Sequence, residues 1–188
     1  MEAGGGAGVR VPCRVHILGA AGSGTTTLGQ LLAEKLGVHH HDTDHFFWEV
    51  TDPPFQKSRS HDERRRLLQL VLDEESSWIL SGSLCGWGDV FIPLFTHVVF
   101  CRVPTQERLE RIRRRETQRF GARIEAGGDM FKMHEDFLTW AAGYDTGGPE
   151  MRSLALHEAW LQRLRCPVLR LETPEDSAAL AERVLRWG

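Results

Sequence analysis

At 188 residues with 41% apolar content, the chain has enough material for one filled core and too little length for two independent ones. A net charge of −3 gives no overall attraction for nucleic acid, and no run approaches the roughly 20 apolar residues that span a bilayer, which argues against membrane insertion. The four cysteines, Cys13, Cys85, Cys101 and Cys166, form no CxxC pair, so reduced thiols are expected rather than a disulfide framework or a closed zinc site.

Residues 1–11 are glycine-rich, lack the apolar segment of a secretory signal and read as a flexible tail, leaving residues 12–188 as one domain expected in the cytoplasm. Cys13 to Leu18 reads as a first strand running into GAAGSGTTT, and Leu28, Leu31, Leu32 and Leu36 then recur at helical spacing up to Gly37. A short strand near Val38 to His41 precedes Asp42 and Asp44, which share one side of an extended chain and can serve a metal and an acceptor together. His39, His40, His41 and His45 surround these acids, but adjacent strand histidines point to opposite faces, which disfavours a zinc cluster. Phe46 to Arg59, with Pro53-Pro54, interrupts the rhythm and reads as a substrate-side loop.

Ser60 to Glu63 fits a capping box opening a helix with Leu67, Leu68, Val71 and Leu72, whose Arg64 to Arg66 are expected on a solvated face. Strands follow at Trp78 to Leu80, His97 to Cys101 and Pro167 to Leu171, the last leading into a second box at Thr173 to Asp176. A helix starts near Thr105, and the arginine-rich stretch 113–129, ending in Gly127-Gly128, reads as a mobile lid. Five strands separated by helices imply a three-layer α/β domain with a mainly parallel sheet.

The chemistry centres on Gly19, Ala20, Ala21, Gly22, Ser23, Gly24, Thr25, Thr26 and Thr27. Between a strand and a helix, such a loop wraps backbone N–H groups around phosphate oxygens, aided by the positive helix end. Thr26 stands where a hydroxyl ligates Mg²⁺, and Thr27 can touch an α-phosphate. Thr25 replaces the lysine that normally neutralises the β- and γ-phosphates, a charge that an arginine from another segment can restore. Arg115 and Arg119 share a helix face and, with Arg123, are candidates to close over the phosphates; Arg113 and Arg114 are expected in solvent. Trp48 and Trp87 lie in polar loops near expected strand ends and are candidates for an acceptor pocket, together with Ser81 and Gly82.

GAAGSGTTTLGQLLAEKLG followed by HDTD, then WILSGS and VVFCRVPTQERLERIRRRE, resembles the small P-loop kinases of the adenylate kinase and shikimate kinase group. The resemblance implies a five-stranded sheet of order 2-3-1-4-5 and ATP- and Mg²⁺-dependent phosphoryl transfer to a small molecule or nucleotide, with no obligatory protein partner. It implies that Asp42 organises Mg²⁺, that Asp44 contacts the acceptor hydroxyl and that Arg152 faces the transferring phosphate. Ser81-Gly82-Ser83 stands where shikimate-type kinases carry a glycine triplet. Two alternatives are a nucleotide-binding regulator with little turnover, motivated by Thr25, and a polynucleotide-end kinase, motivated by the arginines.

Overall fold

The computed structural model describes residues 12–172 and 176–187. Five strands, β1 (Arg14–Gly19), β2 (His39–Asp42), β3 (Trp78–Ser81), β4 (His97–Cys101) and β5 (Val168–Leu171), form a parallel sheet in the order β2-β3-β1-β4-β5. All five expected strands are present, and the order is the one the kinase resemblance implies.

Strand alternation divides the core into two layers. Val15 and Ile17 of β1 face one side, joining Leu28, Leu32 and Ala181 from α1 (Thr25–Leu36) and α7 (Ser177–Trp187). Leu18 faces the other, joining Leu68, Leu72, Trp160 and Leu161 from α3 (His61–Asp73) and α6 (Leu154–Leu161). Each fully buried aliphatic side chain contributes about 1.5–3 kcal/mol, so both layers hold the short strands in place.

Helix ends follow local chemistry. At the end of α1 Gly37 adopts φ 65°, and the N–H groups of Gly37 and Val38 bond Glu34 and Ala33 carbonyls at 3.4 and 3.0 Å. Ser60 Oγ accepts the Glu63 N–H at 3.2 Å, which starts α3 as expected. The box expected at Thr173 to Asp176 lies mostly outside the described residues; Asp176 Oδ1 accepts the Ala178 and Ala179 N–H groups at 2.9 and 3.0 Å.

Two stretches are more ordered than their sequence suggests. Phe46 and Phe47 belong to a short helix, α2 (Thr43–Phe47), and an antiparallel bridge between Trp48 and Ser58 closes the loop that follows. Arg113 to Phe120 is not irregular but continues α4 (Thr105–Phe120), because Arg108, Ile112 and Glu116 bury one side at four-residue spacing. The expected lid shrinks to a 3₁₀ turn at Gly121–Ile124 and a tight connection to α5 (Phe131–Ala142).

The register levels the strand ends: Asp42 and Ile17 both lie opposite Ser81, and Gly19 lies opposite Cys101. The glycine loop, the acid pair and the serine therefore leave the sheet along one edge, the carboxyl edge where open α/β sheets form their binding crevice.

Candidate active site

The loop from Gly19 to Thr27 is shaped for backbone contact. Gly22 and Gly24 adopt φ 80° and 87°, a left-handed region that glycine enters without steric cost. A Cβ on Gly22 would stand 2.6 Å from the Arg108 carbonyl oxygen, so the tight turn also needs the missing side chain. Gly24 is the N-cap of α1 and no side chain caps that helix, so the amides of its first turn remain available to an anion. Ser23 Oγ is buried without a partner among the described residues. These features fit a polyphosphate held by main-chain N–H groups, even though Thr25 is neutral.

Thr26 Oγ1 donates to Asp42 Oδ2 at 2.7 Å, joining the end of the glycine loop to the end of β2. A hydroxyl and a carboxylate in contact suit Mg²⁺, which takes one or two protein oxygens and completes its shell with water and phosphate. Among the described residues no group of three or more His, Cys, Asp or Glu is placed to hold a metal. His39 and His41 instead approach Glu75, at 2.9 and 3.4 Å.

Asp42 is a shared anchor. Its Oδ1 accepts the Asp44 N–H at 3.0 Å, capping α2, while Ser81 Oγ donates to its Oδ2 at 3.4 Å. Ser81 is fully buried and also contacts His40 Nε2 at 2.8 Å, so it supports Asp42 from beneath rather than lining an open pocket. Gly82 has φ 107°, and a Cβ there would collide with Thr43 Oγ1 at 1.9 Å. Asp44 opens to solvent yet lies in a cleft dense with protein atoms; that desolvation, reinforced by Asp42, raises its pKa above the ordinary carboxylate value. The positive charges of Arg152 and Arg115 act on Asp44 in the opposite direction.

The candidate arginines have separate surroundings. Arg115 bonds Glu116 through Nε and Nη2 at 3.0 and 2.9 Å, and Arg152 lies over the Trp140 ring, 5.6 Å from its centroid. Arg119 rests over Phe120. Arg123 is engaged by Asp129 at 2.7 Å and Asp52 at 2.8 Å, tying the α4–α5 turn to the loop after α2. Arg113 and Arg114 are exposed, as expected.

Of the two tryptophans proposed for an acceptor pocket, Trp48 is half-buried and packs against Phe47 and Phe55. Trp87 is 2% exposed, donates its indole N–H to the Ser83 carbonyl and belongs to the core beside α3.

Three arginines gain positions that the sequence reading did not give them. Arg64 is 5% exposed rather than solvated, stacks 3.5 Å over the Phe47 ring, and its buried Nε has no hydrogen-bond partner among the described residues. Burial lowers its pKa below the ordinary guanidinium value. Arg108 is fully buried and donates to the carbonyls of Ala21, Val103 and Ala141 at 3.2, 3.1 and 3.1 Å, fastening α4 to the glycine loop. Arg111 lies beside Gly24 and pairs with Glu107. Its spacing of three from Arg108 and four from Arg115 was the available signal that these side chains share one side of the helix.

A family model described as an AAA domain matches residues 15–126. The chain is 47% identical over 172 residues to the uncharacterized protein YqaC of Bacillus subtilis (strain 168), covering 92% of this chain and 93% of the relative. Among solved structures, shikimate kinase from Acinetobacter baumannii in complex with shikimate aligns over 94% of this chain and 92% of that one, with 19% identity and a TM-score of 0.56. A gluconokinase from Sinorhizobium meliloti 1021 aligns over 94% and 91%, with 15% identity and a TM-score of 0.51. The fold is that of the small P-loop kinases. No helix among the described residues is long and apolar enough to cross a membrane.

Proposed function

Since the chain belongs to the family described as an AAA domain and has the fold of the small P-loop kinases, we propose that it is an ATP-dependent phosphotransferase acting on a small hydroxylated acceptor. The observation that carries this reading is the contact between Thr26 Oγ1 and Asp42 Oδ2 at 2.7 Å, with Asp42 Oδ1 capping the turn that carries Asp44. The end of the phosphate loop thus meets a pair of oxygens suited to Mg²⁺ and, two residues on, an acid whose charge Arg152 and Arg115 favour.

In this reading the amides of Gly22 to Thr27 hold the triphosphate, and Mg²⁺, held by Thr26 and Asp42, supplies charge neutralisation at the β- and γ-phosphates. The acceptor oxygen attacks the γ-phosphorus, the bond to the β-phosphate bridging oxygen breaks, and Asp44 orients and receives the acceptor's proton. Such loose transition states ask more of positioning than of base strength, and in this reading Arg115 and Arg152 steady the charge as it spreads over the equatorial oxygens. Arg64, buried beside α2 with no partner for its Nε among the described residues, favours an acceptor that brings a negative group of its own.

The test is release of ADP from labelled ATP with nucleoside monophosphates, nucleosides and small hydroxy acids as acceptors. Turnover stimulated by an anionic hydroxylated compound is expected. Tight ATP binding with no stimulation by any acceptor would replace this reading with that of a nucleotide-binding regulator, which the missing loop lysine favours. Gain of turnover in Thr25→Lys would point the same way.

A further inference from the structure

We propose that Arg111, from the second turn of α4, contacts the β- and γ-phosphates and supplies the charge that Thr25 does not. The inference rests on the nucleotide-binding reading above and names the residue that compensates for the loop's departure.

Helix α4 is braced against the phosphate loop, since the Arg108 carbonyl oxygen fills the space a Gly22 side chain would need and Arg108 Nη1 donates to the Ala21 carbonyl at 3.2 Å. One turn further along, Arg111 Nη1 stands 3.7 Å from the position of a Gly24 Cβ, and apart from the chain neighbours Ser23 and Thr25 no other described group comes within 4 Å of that point. Gly24 directly precedes Thr25, so the guanidinium reaches the part of the loop from which a lysine would have extended.

Of the other candidates, Arg123 is held by Asp52 and Asp129, Arg119 lies over Phe120, and Arg115, paired with Glu116, and Arg152, over Trp140, are the two the reading above assigns to the transferring group rather than to the loop. Arg111 pairs with Glu107 one turn back and is 29% exposed, which holds its fork in place while leaving donors free. Its planar fork can grip two phosphate oxygens, and a guanidinium delivered across the loop replaces the point charge of an ammonium delivered along it. Anchoring by Arg108 keeps this distance fixed without requiring a lid to close.

The experiment titrates ATP with Mg²⁺, and inorganic tripolyphosphate with Mg²⁺, calorimetrically into the full chain and its variants. Arg111→Gln keeps a long polar side chain on the helix; Arg111→Ala provides the same comparison should the glutamine variant melt early. Loss of one charge-assisted contact weakens binding of both ligands by about 10- to 100-fold. Thr25→Lys placed in the Arg111→Gln chain should recover at least about tenfold, and more than it adds to the wild type, because the two cations serve one site. Variants binding both ligands within about twofold of wild type would overturn the assignment. So would a loss for ATP with tripolyphosphate unaffected, which would place the guanidinium on the base. A wild-type chain that binds neither ligand would instead remove the nucleotide reading itself.

Discussion

Asp44 shows how a single side chain carries both function and instability. Crowding in the cleft, and then Asp42, raise its pKa, so in the folded chain its ionised form is the costly one. That cost is absent below the ordinary carboxylate range, where Asp44 is protonated folded or unfolded; it grows as pH rises from that range to the folded pKa and is fully present above it. Asp44→Asn should therefore raise the melting temperature at pH 7 and leave it nearly unchanged at pH 3. The same substitution removes the proton acceptor and should lower kcat by about 10²- to 10⁴-fold while ATP binding persists. Thermal melts at the two pH values, paired with acceptor-dependent ADP release, check both halves. A variant as active as wild type would remove Asp44 from the chemistry, and a melting gain at pH 3 equal to that at pH 7 would show that its charge is not the source of the cost.

At the scale of elements, α4 decides how the nucleotide loop is held. Arg108 reaches from this helix to Ala21, 87 residues earlier in the chain, and to Asp145 at 3.4 Å in the 3₁₀ turn after α5. Arg108→Leu strips a buried cation from three carbonyls and leaves Asp145 without that partner, a change expected to cost about 3–5 kcal/mol. Urea unfolding would register it as a lower midpoint with an unchanged slope, and a shift under about 1 kcal/mol would mean the clamp is dispensable. The contacts of α4 also mark what sequence could disclose. The glycine loop and acid pair were legible because their chemistry is written in adjacent residues: left-handed glycines at 22 and 24, and carboxylates two apart at 42 and 44. The strands were legible from short apolar runs bounded by turns. The placement of Arg64, Arg108 and Arg111 was not, because each is fixed by a neighbour distant in sequence or set by tertiary packing, and an arginine-rich stretch looks the same on paper whether solvated or packed. The 113–120 segment was misread for a related reason: its apolar content is low, and only the stripe of Arg108, Ile112 and Glu116 reveals that the helix continues. Ser60→Ala, which removes an N-cap plainly visible in sequence, should cost about 1 kcal/mol by the same unfolding measurement; no loss would show that the cap is redundant.

The whole molecule is a sheet buried on both faces, and one of those faces carries two histidines whose neutrality the fold requires. His16, in the middle of β1, is fully buried, stacked on Phe95 with ring centroids 5.0 Å apart, and its Nε2 has no partner among the described residues. His157 on α6 lies 2.8 Å from the Tyr144 hydroxyl and 3.2 Å from Ser83 Oγ, linking the loop after β3 to the connection between α5 and α6. Burial lowers the first to about 4 and the second, with Arg152 adding to the effect, to about 3. In the unfolded chain both bind protons near pH 6.5, so the folded state binds fewer protons below that value and stability must fall as the medium is acidified. Between pH 6.5 and 5 most carboxylates remain ionised, and each histidine then removes about 2 kcal/mol, roughly 1.5 pH units at 1.36 kcal/mol per unit. The site shares this fate, because Ser83 follows the Ser81 and Gly82 segment that braces the acid pair. Urea unfolding at pH 7 and pH 5 should differ by about 4 kcal/mol in the wild type and by about half that in His16→Leu, whatever the variant's absolute stability. Equal losses in the two chains would show that His16 is not among the groups driving the acid sensitivity, and a wild type equally stable at both pH values would mean that neither histidine is held neutral by the fold.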